Sequence, residues 1–211
     1  MEPLPATFDV RTARAKSILT AVLPVFGRFG FKKTSVDQLA EAAGISKQGM
    51  YLHFSSKEEI FLAAMKNYLD EGLLLVDQAL TQDGAPLVER LVASIDAWFG
   101  RHLVTFTPES FDVITTGDRL SADEIDSYKK AFRHRIENAL VNSPEFTEEF
   151  SLSAEELAIV LFTFGLTWKE GRPSRSEFID RIRLCVRACF PISNSRVRSP
   201  ISLNEKEIVK K

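Results

Sequence analysis

The chain has 211 residues, 45% of them apolar and 27% charged, with a formal net charge of −2, the make-up of an ordinary soluble globular protein with ample length for a core. Its longest nearly continuous apolar run, Leu157 to Trp168, is too short to span a bilayer, and residues 1–10 carry acidic residues near both ends and no basic one, unlike a signal peptide. A cytosolic protein is expected, with Cys185 and Cys189, one helical turn apart and without a nearby histidine cluster, as buried or half-buried thiols rather than metal ligands.

Helical periodicity begins at about residue 10 and runs to Phe29, ahead of Gly30-Phe31. A second helix is predicted over 35–43: Ser35 and Gln38 stand in capping-box relation, Val36, Leu39, Ala40 and Ala43 keep helical spacing, and Gly44 supplies the left-handed stop. Ser46 caps a third over 46–53, with Met50 and Phe54 expected in a core with Ala40, Ile45 and Phe61. Two short helices joined by a glycine turn form the helix-turn-helix arrangement, whose second helix enters the DNA major groove. The charge agrees with that reading. Residues 1–57 hold eight Lys/Arg against four Asp/Glu, and the remainder nineteen against twenty-five, so a basic end meets phosphates while an acidic body stays off them.

The rest of the chain also reads as helix. A long fourth helix is predicted over 57–81, a fifth over 86–105 after Gly84-Ala85-Pro86, and a short irregular one within 108–119. Further helices follow over 122–142, 154–170 and 175–190. Capping boxes recur at Ser56/Glu59, Ser121/Glu124, Ser153/Glu156 and Ser174/Glu177. Strand signals are weak. The expected architecture is all-α with about nine helices: a DNA-binding domain over 1–57, a helical body over 58–190, and a loose, Ser/Pro/Lys-rich tail over 191–211.

The recognition helix presents its N-terminal residues to base edges, which places Lys47 against guanine and Gln48 against adenine. Gly49 has two readings: a bare backbone that lets the groove come close, or a residue that avoids a clash with the first helix. Tyr51 points away from the core, with its hydroxyl in reach of a phosphate. Lys57, at the start of the fourth helix, and Thr34 or Ser35, at the start of the second, are placed where charge or free amides meet phosphate, and Ser46 joins them as a third cap on that surface.

The residues Thr34-Ser35, Ala43-Gly44-Ile45-Ser46, Met50-Tyr51-Leu52-His53-Phe54 and Ser56-Lys57-Glu58 resemble the N-terminal domain of TetR-family transcriptional regulators, over roughly residues 11–65. Met50 stands where leucine is usual, a change that conserves volume. The resemblance implies phosphate contacts at Tyr51, His53 and Lys57; His53 has the alternative of a core-edge residue bonded to backbone. It implies a homodimer through the last two helices, about 154–190, and release from a palindromic operator when a small molecule enters the body. The surplus apolar surface of the eighth helix, Leu157, Val160, Leu161, Phe164 and Leu166, agrees with a dimer; an ordinary central core helix is the alternative.

The body is rich in rings. Trp98, Phe106, Tyr128, Phe132, Phe162 and Trp168, with Phe99 among them, are candidates to line an effector cavity in which His102 and Tyr128 orient a polar end; rings at this spacing also serve simply as core. No cofactor or metal is expected. An enzyme finds no support, for there is no nucleophile elbow, phosphate-binding Gly loop, HExxH, EF-hand loop or helical ExxH pair. The competing reading is an all-helical adaptor that does not bind specific DNA.

Overall fold

The computed structural model describes residues 10–106 and 122–191, and every regular element among them is a helix. In chain order they are α1 (Val10–Lys33), α2 (Val36–Ala42), α3 (Lys47–His53), α4 (Lys57–Leu80), α5 (Leu87–Ile95), a π-helical turn (Asp96–Gly100), α6 (His102–Thr105), α7 (Ala122–Val141), α8 (Ala154–Glu170) and α9 (Arg175–Ala188). The helix expected within 108–119, the cap at Ser121 and nearly all of the C-terminal tail lie outside the described residues. Among the described residues, no helix is long and apolar enough to cross a membrane.

Local chemistry sets most of the boundaries. At Ser35, Ser153 and Ser174 the hydroxyl accepts the N3 amide while the N3 Gln or Glu side chain accepts the cap's own amide. Ser56 differs: its hydroxyl accepts the Glu59 amide, but the Glu59 carboxylate turns to the amide and hydroxyl of Ser55. In α1 the helix proper stops where the sequence places its end. Gly30 sits at φ 76°, ψ 164°, a conformation open in practice only to glycine, and one further turn, Phe31 to Lys33, follows. Pro24 lies inside α1, on its exposed side.

The expected fifth helix is interrupted. Arg101 N–H bonds Asp96 O at 3.2 Å, an i→i+5 closure that inserts one residue into the turn. The Asp96 carboxylate is held by Arg175 of α9 at 2.7 Å, and it occupies the space beside Gly100 that a side chain would need. The apolar pattern from Leu87 to Phe106 cannot reveal such an insertion, because i+3 and i+4 steps keep the same face.

Two cores result. The first joins Ile18, Val22 and Phe26 of α1 with Leu39, Met50 and Phe54, and with Ile60, Phe61, Ala64 and Tyr68 of α4. Phe61 meets Phe26 and Phe31 edge-on, each at 5.2 Å between ring centroids. Met50, Phe54, Ala40 and Phe61 are buried there as expected, with Ile45 packed against them. The second core gathers Val76 and Leu80 at the far end of α4 with α5, α7, α8 and α9 around Phe99, Phe132 and Phe178. Helix α4 therefore serves both cores. Of the surplus residues on α8, Leu157 and Leu161 are core, Val160 and Phe164 are half-buried, and Leu166 is exposed.

Gly30→Ala is expected to cost about 1–3 kcal/mol, because a Cβ forces the strained φ/ψ region. Chemical denaturation of the full chain measures this, and a loss below about 0.5 kcal/mol would show that the α1–α2 corner relaxes freely.

Candidate nucleic-acid interface and internal cavity

Helix α2 closes in a Schellman motif. Ile45 N–H bonds Ala40 O and Gly44 N–H bonds Glu41 O, both at 3.0 Å, with Gly44 at φ 63°. Ser46 then caps α3 by accepting the Gly49 amide at 3.0 Å. These contacts, with Met50 wholly buried, fix the rotation of α3. Lys47, Gln48, Tyr51, Leu52 and His53 are left on the surface.

The proposed DNA-contacting residues divide on inspection. Lys47, Gln48, Ser35, Ser46, Tyr51 and His53 are exposed together on the α2–α3 side. Lys47 reaches back to Asp37 of α2 at 2.9 Å, which raises the ammonium's pKa through that hydrogen bond and charge. His53 is exposed rather than a core-edge residue. A Cβ on Gly49 would meet Ser46 Oγ at 3.3 Å and Ile45 at 3.6 Å, so its own cap turn, not the first helix, crowds this glycine.

Two assignments are corrected. Thr34 is buried and donates its hydroxyl to Gly30 O at 2.6 Å, so it braces the α1–α2 corner and faces no phosphate. The Lys57 ammonium donates to Phe31 O and Thr34 O, each at 3.0 Å, and lies 4.4 Å from the Phe31 ring centroid. A lysine at a helix start reads from sequence as a phosphate contact; here the last turn of α1 offers it carbonyl oxygens first. Leu52 was not singled out in the sequence, although it is 86% exposed beside Gln48. Its signal was an apolar residue outside the helix's core-facing stripe.

Between α4, the π turn, α6, α7 and α8 lies a cavity of about 260 Å³. Trp98, His102, Phe106, Tyr128 and Phe162 line it. Phe132 and Trp168 do not: Phe132 is fully buried against Trp98 and Phe99, and Trp168 donates its indole N–H to Cys185 Sγ at 3.4 Å, towards α9. Met65 and Leu69 of α4 and Lys129 and Lys169 complete walls that ring spacing alone could not identify.

Phe106 belongs both to this cavity and to the first core. Beside it, Tyr68 Oη and His102 Nδ1 are 2.7 Å apart, and Arg101 lies over the Tyr68 ring at 3.9 Å while bonding Glu71 at 2.9 Å. His102 is half-buried, its ring 5.4 Å from that of Tyr68 and 5.9 Å from that of Phe106, and it lines the cavity. Burial, with the nearby Lys169 and Arg101 charges, pushes its pKa down to about 3, and burial lifts that of Tyr68 to about 12. Both groups are therefore neutral at pH 7.

Lys57→Ala is expected to lose about 1–3 kcal/mol, the worth of charge-assisted bonds to two carbonyls. Lys47→Ala, on a solvated pair, should leave the denaturation curve unchanged. Equal curves for the two variants would refute the brace. For His102 the folded pKa lies below the usual 6.5, so the unfolded chain takes up more protons between these values. Its contribution to stability is complete above about pH 6.5 and falls as pH drops towards 3. His102→Asn should flatten the thermal midpoint's pH dependence in that window, and an unchanged slope would refute the assignment.

Comparison with known proteins agrees with this geometry. Residues 18–64 match the family model for bacterial regulatory proteins of the tetR family. The HTH-type transcriptional regulator RutR of Escherichia coli (strain K12) is 41% identical over 76 residues, 36% of this chain and 35% of the relative. The HTH-type transcriptional activator FasR of Mycolicibacterium smegmatis is 28% identical over 154 residues, 72% of this chain and 58% of that one. The match thus spans about a third of the length of the first curated relatives. In fold the chain resembles the reduced form of E. coli NemR, with a TM-score of 0.65 at 18% identity over 85% of this chain and 99% of that one. A TetR-family transcriptional regulator from Rhodococcus sp. gives 0.63 at 17% identity over 84% and 98%. Residues 18–64 therefore carry the N-terminal domain of the tetR family, on a fold shared with TetR-family regulators of known structure.

Proposed function

We propose that this protein is a sequence-specific DNA-binding transcriptional regulator, a homodimeric repressor released from a palindromic operator by a small molecule. The observation that carries the reading is the division of α3 into two faces. Met50 anchors the inner face, while Lys47, Gln48, Tyr51 and His53 stand outside it and contribute nothing to the core. Lys47 and Gln48 suit base edges. Tyr51 and His53, with the cap hydroxyls of Ser35 and Ser46, suit phosphates. An adaptor would leave this polar face idle.

The body supports the other two parts. Apolar residues stay exposed on the last two helices, Ile159 at 42% on α8 and Leu184 at 71% on α9, and a partner across 154–190 would cover them. Pairing would set two recognition helices on half-sites about 34–36 Å apart, or a multiple of that spacing. The cavity of about 260 Å³ admits a small, mostly apolar effector, and its wall residue Phe106 is also core to the DNA-binding end.

Selection of genomic fragments by the purified full chain tests the reading. Enrichment of one near-palindromic site is expected, with affinity falling at least tenfold between about 50 and 200 mM salt as phosphate contacts are lost. Tyr51→Ala should abolish the enrichment. Binding that selects no sequence and ignores salt would overturn the proposal in favour of an interaction module.

A further inference from the structure

An exposed leucine is commonplace on protein surfaces; the position of Leu52 on α3 is what gives it meaning. Successive helical residues turn by about 100°. With Met50 set at the core, Gln48 and Leu52 each fall about 160° away, on either side of the outermost line. The two are the residues most opposed to the core, and they form an i,i+4 pair. Lys47 and Tyr51 flank them on one side, and Lys47 is tied sideways to Asp37. Leu52 is 86% exposed, against 48% for Tyr51, so it contributes almost nothing to folding.

The seven residues of α3 make a rod of about 10 Å. The major groove is about 12 Å wide, so the whole outward face fits inside it, not the first turn alone. The only apolar group that a base edge shows there is the thymine C5-methyl. Four helical residues rise about 6 Å, and base pairs stack about 3.4 Å apart, which sets Leu52 within one or two base pairs of the base at Gln48.

We propose that Leu52 is a specificity-determining residue that packs on a thymine methyl, one or two base pairs from an adenine held by Gln48. The inference rests on the DNA-binding reading and extends it. Affinity for that base pair comes from water-free contact with one methyl group and carries no salt dependence, unlike the phosphate contacts.

The test uses the full chain and the site it selects from random-sequence duplexes. Each thymine of a half-site is replaced in turn by deoxyuridine, which removes the methyl and keeps every hydrogen-bonding group. At one thymine the wild type should lose about fourfold in affinity, the worth of burying one methyl. Leu52→Ala should bind the thymine and deoxyuridine duplexes equally and keep the wild-type thermal midpoint, showing that it is folded. If no thymine is sensitive, or if Leu52→Ala keeps the same sensitivity, the role of Leu52 is overturned while DNA binding stands. If no site is selected at all, the DNA-binding reading falls and this inference with it.

Discussion

One unbroken helix, α4, ties the two halves of the molecule together. Its 24 residues make a rod of about 36 Å that gives Ile60, Phe61 and Tyr68 to the first core and Val76 and Leu80 to the second. Lys57 pins its start to the end of α1, and Arg101 and His102 pin its middle through Tyr68. A rod buried at both ends transmits orientation, because tilting one end against its packing tilts the other. The recognition helix has no independent way to turn: it is set by α1, α2 and the first turns of α4.

A second link runs beside α4. The segment from the π turn to Phe106 crosses three other helices at glycines, with no room for a Cβ at Gly27 and Gly165 and a tight fit at Gly72. Thr105 O lies against Gly27 of α1, Trp98 and Arg101 against Gly72 of α4, and Phe99 against Gly165 of α8. Such contacts leave little slack, so displacement of the cavity wall reaches α1 without passing through α4. The π turn is the one place where this segment departs from regular helix, and Arg175 holds it to α9, one of the two helices read as the dimer face.

Much of this was legible in the sequence because it depends on local chemistry. Ser35 with Gln38, Ser153 with Glu156, and the left-handed Gly44 set helix ends from a few neighbouring residues, and the structure places them accordingly. What escaped depends on partners distant in sequence. Thr34 and Lys57 look like surface groups until the carbonyls of Gly30 and Phe31 are seen beside them. Phe132 and Trp168 carry the same helical spacing as true cavity residues, and only the packing of α7, α8 and α9 assigns them to the core and to the α8–α9 seam. The apolar stripe of α3 was legible, but Leu52 falls outside it, and periodicity is silent about residues that it excludes.

The cavity also limits how an effector can act. A ligand shifts an equilibrium only by its difference in affinity for two states. His102 in this wall, hydrogen-bonded to Tyr68, is neutral at pH 7, and apart from Lys129 and Lys169 the lining is mostly apolar, so buried apolar area can supply much of the difference. At about 25 cal/mol per Å², covering some 100 Å² more in one state gives about 2.5 kcal/mol, within the usual range of allosteric coupling. An area of that size is roughly half of one large aromatic side chain. Movement of Phe106 alone, shared between the cavity and the first core, is therefore of the right scale to connect ligand binding to the placement of α3.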